Sequence, residues 1–129
     1  MKKTILFLCF IGIFASCREK STLEKEVMAI HDEVMPKLGE LNKDRRGLQS
    51  ILKNTTDESV KNTILEAVTA LEKADDGMMD WMAKYKLPSE PAAQEVYLKN
   101  EMIRITKVKT DMIESMKNAK ILKEKYKEI

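Results

Sequence analysis

Nine methionines, one histidine and one tryptophan occur in this 129-residue chain, and apart from the initiator the methionines are unevenly placed. Met28, His31 and Met35 are three and four residues apart. At about 100° per residue they fall within about 60° of one helix surface. Further along, Met78, Met79, Trp81 and Met82 crowd into a single turn. Thioether sulfur selects monovalent copper or silver, and imidazole is an accepted copper ligand. A set drawn from His31, Met28, Met35, Met78, Met79 and Met82 therefore has the donors of a Cu(I) or Ag(I) site. Trp81 supplies a ring face to cover a cation. The plainer chemistry of the same residues is packing, because methionine fills irregular gaps in helical cores and sits well against rings. A third reading makes them, with Trp81 and Met102, a surface that docks a partner. Haem held by His31 and a methionine is disfavoured, since three helices leave little room for the ring.

Other chemistries find fewer residues. Asp75, Asp76 and Asp80, with Asp32 and Glu33, make an acidic rim beside the methionines, but no D-x-D-x-D-G loop provides the oxygen cage of an EF-hand. There is no glycine-rich phosphate loop, no G-x-S-x-G elbow and no second histidine for a metal triad. The pattern points away from an enzyme.

What must position these residues is helical. Apolar residues recur at heptad spacing in three stretches, and no alternating strand pattern competes. The first stripe is Leu23, Val27, Ile30, Val34, Leu38, Leu41, Leu48 and Ile51 or Leu52. The second is Val60, Ile64, Ala67, Leu71, Ala74, Met78, Met82 and Tyr85. Leu98, Met102, Ile105, Val108, Met112, Met116, Ala119, Leu122 and Tyr126 form the third. Ser21 with Glu24 and Thr55 with Glu58 match the capping box, and Pro91 suits a first helical turn. The expectation is an all-α, elongated antiparallel three-helix bundle, with helices about 22–53, 56–86 and 90–128. Pro36 is expected to kink or split the first helix by removing the bond to the Asp32 carbonyl. Gly39 and Gly47 each weaken it by about 1 kcal/mol. Folding the hairpin about residue 55 sets His31 opposite Met79, and a second turn near residue 88 brings Leu98 and Met102 to the same level.

The N-terminus reads as an address. Lys2 and Lys3 precede an apolar run from Ile5 to Phe14, then Ala15, Ser16 and Cys17. The run falls short of the about 20 residues that span a bilayer, and its order of charge, apolar run and small residues is that of a signal peptide. Phe14-Ala15-Ser16-Cys17 resembles the bacterial lipobox, with phenylalanine where leucine is usual. The expectation is a leader over 1–16, acylation (palmitate-type chains) on Cys17, a tether over 17–21 and the bundle over 22–129. Cys9 leaves with the leader, so the mature domain has no free thiol for a disulfide or a zinc thiolate. Taking Lys2 and Lys3 from 23 basic residues leaves 21 against 21 acidic ones. That balance carries no footprint of nucleic-acid binding. Lys117, Lys120, Lys123, Lys125 and Lys127 make a basic C-terminal stretch, either a solvated face or a contact for anionic lipid.

His31-Asp32-Glu33-Val34-Met35-Pro36-Lys37-Leu38-Gly39 and Met78-Met79-Asp80-Trp81-Met82 resemble two signatures of a family of small Bacteroidetes-type lipoproteins, often labelled "viral A-type inclusion protein". The label reflects coiled-coil similarity, and the resemblance implies no activity. It does imply that the two motifs form one unit. The expected protein is a lipid-anchored, non-enzymatic interaction or scaffolding module of the cell envelope, on the periplasmic face or outer membrane. Its partners would be the membrane and either an envelope protein or another copy. Soft-metal capture by the His/Met cluster is the alternative.

Overall fold

A computed structural model describes residues 21–129, so the expected leader and Cys17 lie outside the described residues. The described chain is a helical bundle of α1 (Thr22–Val34), a single 3-10 turn (Met35–Lys37), α2 (Leu38–Asn54), α3 (Glu58–Lys84) and α4 (Pro91–Lys125). No strand occurs among the described residues. The turn joins α1 and α2 into one rod, and α3 and α4 are the other two. Successive rods reverse direction, so α4 runs parallel to the first. Its 35 residues make it about 52 Å long. No helix among the described residues is long and apolar enough to cross a membrane.

Pro36 accounts for the turn. Lacking an N–H, it withholds the bond that would close on Asp32. The chain tightens instead: the Met35 N–H still reaches the His31 carbonyl, and the Leu38 N–H reaches Met35. Val34, Met35, Lys37 and Leu38 all remain right-handed, so the rod continues. The core seam keeps its phase across it: Val27, Val34, Leu41 and Leu48, each seven apart, are fully buried. Ile64, Leu71 and Met78 answer them on α3, and Leu98, Ile105, Met112 and Ala119 on α4.

The helix ends corrected one expectation. Ser21 caps α1 through its hydroxyl, which accepts from the Glu24 N–H at 3.1 Å. Thr55, however, does not cap α3. Asp57 does, its carboxylate accepting from Ser59 and Val60 N–H at 2.8 and 3.1 Å, so the helix starts two residues later than expected. A full negative charge is the better partner for the positive end of a helix. Thr55 instead accepts from the Asp57 N–H and shapes the connection. At the other connection the Gln94 amide donates to the Pro88 carbonyl at 2.6 Å, and the Lys86 N–H donates to the Tyr97 hydroxyl at 2.6 Å.

Several core positions differ from the apolar stripes. Trp81, seven after Ala74, is buried where Met82 was expected, and Met82 is half-buried. On α4 the second heptad row is Gln94, Glu101, Val108, Ser115 and Leu122, all buried, so Glu101 displaces Met102 from the seam. Glu101 is tolerated because Arg104 binds it at 2.7 Å from one turn away. On α2 the buried residue between Leu41 and Leu48 is Asp44, bound by the Lys123 ammonium of α4. Gly47 makes this possible: a Cβ there would lie 2.8 Å from Lys123 Cδ, so the lysine stem crosses α2 where no side chain stands.

Candidate functional site

His31 sits on the side of α1 that faces α3, with its side chain 18% exposed. Both ring nitrogens have neighbours. Nδ1 lies 2.9 Å from Asp32 Oδ1, and Nε2 lies 3.4 Å from Met82 Sδ across the helix interface. The Trp81 ring packs beside the imidazole at 5.7 Å between centroids and a tilt of 30°. Both contacts come from one turn of α3 because Trp81 and Met82 straddle the contact direction, about 100° apart. His31 meets Met82 rather than Met79, one helical turn from the expected register.

A ladder of rings continues from this point. Trp81 stacks on Tyr85 at 5.0 Å, and Tyr85 on Tyr97 of α4 at 5.8 Å. Burial and the charges of Glu24, Tyr97 and Glu101, in that order of weight from burial down, raise the Tyr85 phenol above its ordinary value of 10.0. Its hydroxyl, Trp81 Nε1 and Glu101 Oε2 are buried without hydrogen-bond partners. Sequence reasoning missed Tyr85, Tyr97 and Glu101 as neighbours of the cluster. The signal for Glu101 was its place seven residues after Gln94.

The other expected residues separate. Met78 is fully buried and belongs to the core, whereas Met79 is 45% exposed on the outer side of α3. Met28, Met35 and Met102 are half-buried against the core. Trp81, expected as a partner surface, is 2% exposed, so its ring fills the interior and leaves a partner nothing to grip. The acidic rim is paired off rather than pooled: Asp80 binds Lys84 at 2.7 Å, Glu33 binds Lys109 at 2.6 Å, and Asp75 approaches Arg45 at 4.0 Å. Among the described residues no group of three or more His, Cys, Asp or Glu is placed to hold a metal ion. Three lysines of the basic C-terminal stretch are likewise paired, Lys120 with Glu40, Lys123 with Asp44 and Lys127 with Glu124, and Lys125 lies over the Tyr126 ring. The Glu40–Lys120 hydrogen bond lowers the glutamate and raises the lysine from their ordinary values.

Comparison with protein-family models, with curated proteins and with solved structures gives no match.

Proposed function

We propose that the chain is a non-enzymatic binding module of the cell envelope, tethered through a lipid on Cys17 and engaging a protein partner or a second copy along the outward side of α4. The observation that supports this is a set of exposed aliphatic side chains on that helix: Ile103 at 70%, Val96 at 63% and Ile121 at 57% fall within about 20° of one line, and Ile113, 41% exposed, stands about 80° round from Ile103 and Ile121. A helix packed on one side has no folding reason to be apolar on the other. Ile113, Met116 and Ile121 also line a groove of about 470 Å³ between α4 and the first rod, whose charged neighbours are of both signs: Lys37, Lys117 and Lys120 with Glu33 and Glu40. Apolar contacts edged by charges of both signs suit a partner helix with an apolar stripe.

The reading moves the contact surface away from the methionine-rich end, where Trp81 and Met78 are already inside. It accords with the lipoprotein family that the two motifs resemble.

Two measurements test it on the full chain in cells. Acylation and membrane retention should disappear in Cys17→Ser and persist in Cys9→Ser. A photo-crosslinking residue in place of Ile103 should yield a discrete adduct, while one in place of the exposed Glu66 on α3 should not. Equal labelling from both positions would retire the α4 surface, and membrane retention of Cys17→Ser would retire the tether.

A further inference from the structure

His31 and Met82 meet in a way that packing alone leaves unfinished. A carboxylate only accepts, so the 2.9 Å contact with Asp32 places the proton of a neutral imidazole on Nδ1. Nε2 then offers a lone pair. What it faces at 3.4 Å is the Met82 thioether, which also offers lone pairs and carries no proton. Two acceptors point at one another across the helix interface, and something positive belongs between them. The candidates are a second ring proton, making an imidazolium that donates to sulfur, or a soft cation.

We infer that this pair is a binding site for a monovalent soft metal ion, Cu(I) or Ag(I), with His31 Nε2 and Met82 Sδ as its ligands. Three features of the arrangement favour the ion. The donor pair is soft and neutral, the combination that selects these ions over hard divalent ones. The spacing is compatible: metal–nitrogen and metal–sulfur bonds of about 2.0 and 2.3 Å close on the observed 3.4 Å with an angle of about 105° at the metal, which sets the ion beside the line between the two atoms and asks the imidazole or the thioether to turn toward it. That angle leaves room for a third donor. The second neighbour of the ring is also what a ligand needs, since a carboxylate on Nδ1 fixes the tautomer and aims Nε2. Trp81, tilted 30° beside the imidazole, walls one side of the pair and sets an aromatic face near the ion.

The assignment is narrower than the cluster of six residues that the sequence offered. Met78 is closed into the core and Met79 turns to solvent. Met28 and Met35 flank His31 on the same surface of α1, one turn to either side, and the long unbranched side chain of either can swing to the open third position. The site lies about 15 Å up the rod from Ser21, counted as ten residues of α1. It does not rest on the α4 contact surface, and either can fail without the other.

Trp81 is the only tryptophan in the chain, so its fluorescence reports this location directly. The test is a titration of the full chain, purified in detergent, with Ag(I), and with Cu(I) under anaerobic conditions against a colorimetric competitor. The expected result is one ion per chain with a saturable change in Trp81 emission. His31→Gln and Met82→Leu should each weaken binding by at least about tenfold, and Asp32→Ala by about ten- to hundredfold through loss of the orienting contact. Met79→Leu should bind as the parent does, and unchanged circular dichroism should accompany every variant, since leucine conserves the volume of Met82. Binding that survives both His31→Gln and Met82→Leu, or that matches the weak background of an exposed methionine, overturns the assignment. So does emission that follows pH while ignoring both metals, because a proton would then be the occupant.

Discussion

Replacing Lys123 with methionine is expected to cost far more than a lysine near the surface normally would. Its ammonium is bound to Asp44, whose side chain is 3% exposed, while the lysine side chain keeps 30%. Asp44 Oδ2 already lacks a partner. Lys123→Met would therefore leave a buried carboxylate with neither oxygen bonded. Breaking a buried pair from one side costs about 3 to 5 kcal/mol, whereas removing both charges and filling the space is close to neutral. Partial exposure of the lysine lets some water reach the site, so the lower end, about 3 kcal/mol, is the expected loss. The double variant Asp44→Leu/Lys123→Met should return to within about 1 kcal/mol of the parent. Urea unfolding of all four chains, followed by far-ultraviolet circular dichroism, closes this cycle. A loss below about 1 kcal/mol in Lys123→Met is what a solvated ion pair gives. That outcome would refute the claim that Asp44 is sealed in the interface.

The same contact predicts that Gly47→Ala changes sign with its background. In the parent the new methyl group meets Lys123 Cδ at 2.8 Å and should destabilise by about 1 to 2 kcal/mol; in Lys123→Ala it should stabilise by about 1 kcal/mol, as should Gly77→Ala, which meets nothing within 4 Å. Asp57→Ala should cost about 1 kcal/mol by uncapping α3, more than Thr55→Ala costs at that helix end, read by the same urea transitions. Tyr85→Phe removes a buried hydroxyl without a partner and should stabilise by about 1 kcal/mol. Because the folded phenol is raised, the unfolded chain ionises first: stability from this group is intact below pH 10.0 and is lost as pH rises past the folded value. The alkaline slope of the unfolding free energy should be shallower in Tyr85→Phe than in the parent.

The heptad spacing of Val27, Val34, Leu41 and Leu48 was enough to read the bundle, because burial of one apolar seam is the dominant requirement on a long helix. Pro36 announced its own interruption. What spacing could not convey is how buried charge is compensated. Glu101 and Asp44 look like surface residues until Arg104 and Lys123 are in place, and Gly47 reads as a weakness until a lysine is seen lying over it. Trp81 and Met82 stand about 100° apart on α3, the width of an apolar stripe itself, so spacing alone does not choose between them for the interior. His31, Met82 and Trp81 were legible as neighbours from hairpin counting. The facing of Nε2 on sulfur was not, since it depends on a ring orientation that Asp32 sets.

The turn at Met35–Lys37 constrains the number of residues there more tightly than their identity. Inserting or deleting one residue would rotate α1 by about 100° against α2, carrying Val27 and Val34 out of the interior and His31 away from Met82. Substitutions in this stretch are absorbed locally, but a change of length is transmitted to every contact that α1 makes. The connection over 55–57, where the chain reverses at the far end of the rod, has no such gearing. Homologous chains should accordingly vary in length between α2 and α3 and hold it fixed between α1 and α2.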